Sequence, residues 1–164
     1  MRTYLQARRD LNQQRLAAYS AKGSFPKNRV RPGMLNVFID DAGAICAAAN
    51  LMFQDGQQDL VRATAKRDNY LRLATVQGGP LMDWMLLSGL TQSEIADVQE
   101  PYGFIDDDPE PAVVKLAIET EVERLQLHFA GVLKRLGSQR AASLDAMTDR
   151  VMKRPDLVAA ILKS

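Results

Sequence analysis

Cys46, His128 and Asp40 are the candidates for catalysis that this sequence offers, none of them in a recognisable catalytic constellation. Cys46 follows the turn Asp40, Asp41, Ala42, Gly43 by three residues, a spacing that would set it in the first turn of a helix. There, unpaired N–H groups and the helix dipole lower a thiol pKa and favour the nucleophilic thiolate. Its neighbours Ile45, Ala47, Ala48 and Ala49 favour the plainer reading, a small buried packing residue. His128 stands between Leu127 and Phe129, beside the apolar positions Leu125 and Val132. A boundary histidine satisfied locally is expected before a catalytic base. Asp40 and Asp41 close a strand candidate, where adjacent side chains point to opposite faces. They are expected to stabilise a turn and not to converge on a substrate.

Other chemistries find no support. One histidine and one cysteine exclude the common zinc arrangements. Asp106, Asp107, Asp108 and Glu110 form an acidic patch without the ligand spacing of a calcium loop, so a solvated helix start is expected. Gly78, Gly79 and Pro80 lack the Lys-Ser/Thr of a phosphate loop, and neither G-x-G-x-x-G nor G-x-S-x-G occurs. No metal and no cofactor are expected.

Charge is segregated along the chain although the net is only +1. Residues 1–34 hold Arg2, Arg8, Arg9, Arg15, Lys22, Lys27, Arg29 and Arg31 against the single acid Asp10. Of these, Arg8, Arg9, Arg15, Lys27, Arg29 and Arg31 make a candidate basic patch. Residues 91–123 are the acidic counterpart, with Lys115 their one base. The N-terminal residues lack the apolar core of a signal peptide, no apolar run is long enough for a membrane span, and a lone cysteine forms no intrachain disulfide. The expected compartment is the cytoplasm.

The elements that must position these groups read as helices. The length, 164 residues, fits one domain. Residues 2–22, with Tyr4, Leu11 and Ala18 repeating at seven, predict an outer amphipathic helix or arm that stops at Gly23. Leu35–Ile39 is a strand candidate, and residues 44–53 read either as a small-residue helix or as the return of a hairpin. Helices follow over 57–67, 81–87 and 92–99, the last opened by the capping box Thr91–Glu94. The longest spans 111–136, where Val114, Ile118, Val122, Leu125, Phe129, Val132 and Leu136 make a continuous stripe and Gly137 supplies a stop. Helices over 143–154 and 156–163 end the chain. The predicted fold is all-α, with at most one short strand or β-hairpin near residues 35–49.

Two resemblances accompany this reading. Trp84–Asp97, with its Gly-Leu-Thr-x-x-Glu-Ile-Ala run, is similar to the first two-thirds of a bacterial helix-turn-helix. The chain then continues through Val98–Asp108, which is acidic where a recognition helix would meet phosphate. Phe25-Pro26, Asp40-x-x-Gly43-x-x-Cys46-Ala47, Asn69-x-x-Arg72 and Ser88-Gly-Leu-Thr91-x-x-Glu94 through Pro101 resemble a family of uncharacterised bacterial proteins over residues 25–103. In that family a histidine or tyrosine often stands a few residues past the cysteine, where this sequence has Asn50. The resemblance implies a defined unit around Asp40–Met52 and no activity.

The functional expectation is a non-enzymatic protein that binds another protein or itself. Nucleic-acid or anionic-surface binding through the basic N-terminal segment is a second reading, and a thiol-dependent enzyme using Cys46 a third.

Overall fold

A computed structural model describes residues 1–163 and shows an all-α fold. Its helices are α1 (Arg2–Lys22), α2 (Ala47–Gln54), α3 (Gln58–Arg67), α4 (Gly79–Leu87), α5 (Gln92–Val98), α6 (Pro111–Ser138), α7 (Arg140–Met152) and α8 (Pro155–Ile161). No helix among the described residues is long and apolar enough to cross a membrane.

The expected strand is reduced to single bridges. Leu35 pairs with Tyr102 and Ile39 with Ile45, both antiparallel, and Asn28 pairs with Phe104. Asp40 supplies the turn: its N–H donates to Ala44 O at 2.9 Å, and its Oδ1 accepts from the amides of Ala42 and Ala44. Gly43 completes the reversal at φ 82, a backbone state that costs a side chain with Cβ. Of the two readings for residues 44–53, helix is found from Ala47, because Cys46 turns the chain out of the hairpin and caps α2.

The outer arm is corrected. Leu5, Arg9, Asn12 and Leu16 of α1 are wholly buried, and the helix packs on α2, α6 and α7. Its inward stripe is Leu5, Arg9, Asn12, Leu16 and Tyr19, while Leu11 of the expected heptad is exposed. Two polar residues in that stripe hide it from a hydrophobic count. Leu16 and Tyr19 enter the larger apolar cluster with Phe129, and Leu5 the smaller one with Leu144, Met147 and Val151. The rings of Tyr19, Phe25 and Phe129 meet at centroid distances of 5.2–5.8 Å in tilted and edge-on geometries, as their quadrupoles favour.

The long helix also departs from its stripe. Leu125, Phe129, Val132 and Leu136 are buried, but Val114, Ile118 and Val122 are only half-covered, and residues 111–124 contain no buried side chain. The first turns of α6 are covered on one side only. Gly137 does not stop the helix, which runs to Ser138 and passes through Gln139 into α7.

Candidate functional site

Cys46 occupies the helix-start position that its spacing suggested. As the N-cap of α2, its Sγ accepts from the Ala49 amide at 3.4 Å, and its own N–H donates to Phe38 O at 3.0 Å. Burial decides its chemistry. The residue is 1% exposed, and desolvation pushes the thiol up to about 12, against the smaller opposing pull of the helix-start amides. At pH 7 such a thiol holds roughly a thousandfold less thiolate than a free cysteine near 8.5. A thiol reagent at neutral pH should therefore modify Cys46 in denaturant within minutes and leave it almost untouched in the native protein. Comparable rates in the two states would return it to the candidate nucleophiles.

Two tyrosines that sequence inspection missed close over this helix start. The Tyr19 hydroxyl donates to Ile45 O at 2.9 Å. The fully buried Tyr102 hydroxyl ends near the Tyr19 hydroxyl and the Ala47 amide without a well-formed hydrogen bond. Burial raises both phenols, so both stay neutral. Asp40 does not converge with them as a base. Its carboxylate is engaged by the amides of Lys27, Ala42 and Ala44. The acid is a turn-former, and Asp41 forms an exposed pair with Arg29 at 3.7 Å.

His128 serves α5. Its Nε2 lies 2.7 Å from Asp97 O in the last turn of that helix and 3.5 Å from Glu100 Oε2, and its ring meets Phe129 edge-on. A ring N–H there satisfies a carbonyl that the helix end leaves unpaired.

The candidate basic patch is dispersed. Arg8 and Arg15 both bind Asp55 at the end of α2, and Trp84 Nε1 donates to the same carboxylate at 2.8 Å. Burial pushes that carboxyl up, but these three donors outweigh it and hold it below the ordinary value. Arg9 is enclosed. Its Nη2 donates to Glu94 Oε1 at 2.6 Å and Leu136 O at 2.8 Å, its Nη1 to Glu94 Oε2 at 2.9 Å and Gly89 O at 3.0 Å. Arg29 reaches Asp107 at 3.0 Å, Lys27 is half-buried, and Arg31 is exposed with no carboxylate partner among the described residues. Asp106, Asp107, Asp108 and Glu110 are exposed as expected.

Glu94 decides the helix-turn-helix likeness. It makes the capping box with Thr91 and also carries the ion pair with Arg9, so the motif is an internal joint. No helix follows α5 until Pro111, and the place of a recognition helix is taken by bridged, extended chain. No family model, curated protein or solved structure matches this chain. Among the described residues, no group of His, Cys, Asp and Glu side chains is placed to hold a metal ion.

What is left open to a partner is the first half of α6. Its inner face, Ile118, Val122 and Leu125, roofs a cavity of about 180 Å³ floored by Phe25 and Pro26. Its outer face carries a second apolar row: Val113 is 55% and Leu116 63% exposed, with Leu127 further along and Thr120 between. Residues 113, 116, 120 and 127 fall on one side of a 3.6-residue helix, opposite Val114, Ile118, Val122 and Leu125. One apolar side meets the body and the other meets solvent.

Proposed function

We propose that this protein is a non-enzymatic interaction protein that associates with a second copy of itself through the outer face of α6. The observation that carries this reading is the apolar row Val113, Leu116 and Leu127 on the outer side of a helix whose first half has no fully buried residue. Surface helices of a self-sufficient domain carry one apolar stripe. A second stripe at a, d-like spacing is the pattern by which helices pair with one another. Glu123 stands at the edge of the row, and the Lys115–Glu119 ion pair lies beyond it on the same side of the helix, so a two-fold antiparallel pairing would set charges of both signs beside the seam.

The rival readings draw less from the geometry. Arg8, Arg9 and Arg15 already neutralise Asp55 and Glu94, so few cations of the N-terminal helix are free for phosphate. Cys46 is buried, and its desolvation raises the thiol and disfavours the thiolate.

Sedimentation of the full chain from about 1 to 100 µM, a range suited to weak homodimers, tests the proposal. Dimer is expected at the upper end, with Val113→Ser/Leu116→Ser remaining monomeric at an unchanged melting temperature. A wild-type monomer throughout, or a dimer indifferent to this variant, would remove α6 as the interface.

A further inference from the structure

Arg31, Arg67, Arg72 and Arg150 are the arginines without a carboxylate within ion-pair distance among the described residues. In a chain that pairs its other arginines, two of these four line the same groove. The groove has a volume of about 430 Å³, within the usual range for small-molecule sites. No acidic side chain lines it. Of the acids adjoining it in sequence, Asp97 pairs with Arg135 at 3.3 Å and Glu100 with Arg124 at 2.6 Å, while Asp68 accepts from the Tyr70 amide at 2.9 Å.

The backbone beneath each guanidinium is held by a buried amide. Asn28, wholly buried, donates through Nδ2 to Arg31 O and Gly33 O, both at 3.0 Å, and accepts from the Arg31 amide at 3.3 Å. Gln99, also buried, brackets Arg72. Its Nε2 donates to Leu71 O at 2.8 Å, and its Oε1 accepts from the Leu73 amide at 2.7 Å. Two large apolar side chains are left in solvent at this groove, Tyr70 at 42% and Met34 at 49% exposure, with Pro101 and Asn36 completing the wall. Unpaired cations on fixed backbone, beside an open aromatic ring, are what a charged ligand with a flat or apolar body requires. Arginine forks match the paired oxygens of phosphate and carboxylate.

We infer that the groove between Arg31 and Arg72 binds a small dianion, a phosphate monoester or a dicarboxylate, whose apolar body rests on Tyr70 and Met34. The two guanidiniums neutralise the two charges. Asn36, whose side chain makes no hydrogen bond among the described residues, is the neutral donor and acceptor of the site. This site is separate from the outer face of α6, and its ligand does not depend on self-association.

Calorimetric titration with phenyl phosphate tests the assignment, with inorganic phosphate, phenol and phenylsuccinate as parallel probes. Phenyl phosphate or phenylsuccinate should bind at least about tenfold more tightly than inorganic phosphate or phenol, a difference of about 1.4 kcal/mol. The tighter of the two names the acid group of the natural ligand. Arg31→Gln and Arg72→Gln should each weaken that binding about tenfold without moving the melting temperature, since neither side chain is buried or paired. Arg67→Gln, an unpaired arginine outside the groove, should leave it unchanged. Equal affinity for phenyl phosphate, phenylsuccinate and inorganic phosphate, full binding by both groove variants, or an equal loss in Arg67→Gln would overturn the site.

Discussion

Arg9→Met should lower the stability of this protein by about 3–5 kcal/mol, the typical loss when one member of a buried ion pair is removed. The guanidinium joins parts of the fold that are far apart in sequence: α1, the Gly89 turn, α5 and the end of α6. Its removal strands Glu94, which then keeps only the Thr91 amide at 2.8 Å and the Ser143 hydroxyl at 2.7 Å. Replacing both partners, as in Arg9→Met/Glu94→Gln, should recover much of the loss, because an uncharged pair no longer carries the desolvation penalty. Acidity distinguishes the variants. In the wild type, burial pushes the Glu94 carboxyl up, but Arg9, Thr91 and Ser143 outweigh it and hold it below the ordinary value. A carboxyl depressed in the folded state contributes stability above its unfolded value, about 4.3, and loses it as the pH falls through the folded value. Wild-type stability should thus decline in acid. In Arg9→Met the stranded carboxyl is raised instead, so that variant should gain stability as the pH falls from 7 toward 5. Chemical denaturation from pH 7 to below the unfolded carboxyl value of about 4.3 checks both, the variant's gain above that value and the wild type's loss below it; the same pH dependence in both proteins would mean that Glu94 is not the titrating group.

Gly89→Ala should have the larger effect and abolish the cooperative melt. Gly89 sits at φ +77, and a Cβ there would lie 2.3 Å from Leu5 O and 2.6 Å from the Arg9 amide. These are backbone atoms of α1, so the clash is not relieved by turning a side chain. The helix would have to withdraw from the turn that Arg9 and Asn12 bind through Gly89 O and Ser88 O. A loss beyond about 4–5 kcal/mol is exceptional for one substitution and consumes most of a typical domain's stability. Gly43→Ala is the matched control, with φ +82 and nothing within 4 Å. It carries only the left-handed backbone penalty, about 1–2 kcal/mol. Equal melting temperatures for the two variants would show that the contact between α1 and the turn is not tight.

Much of the local structure was legible in the residues themselves. Thr91 and Glu94 form the expected capping box, because a cap is made by side chains three positions apart on one chain segment. The core half of the long helix, from Leu125 to Leu136, follows the period of its apolar residues. Asp40 and Gly43 make the turn that their types imply. Cys46 reached a helix start, but spacing carries no information on how deeply α2 is covered, and burial alone set its thiol.

What escaped the sequence depends on partners that no local pattern encodes. The inward face of α1 contains Arg9 and Asn12, which a hydrophobic period assigns to solvent. They are buried because Glu94, Gly89 O, Ser88 O and Leu136 O arrive from other parts of the chain. Likewise Arg8 and Arg15 read as free charge until Asp55 and Trp84 meet them. Arg31 and Arg72, far apart in sequence, share a groove because Asn28 and Gln99 fix their loops. The sequence by itself determined the all-α class, the caps and the turns, since these follow from residues within a few positions of one another. Which charges are buried, paired or left facing a groove was decided by the tertiary structure, because electrostatic partnership is a matter of distance in space.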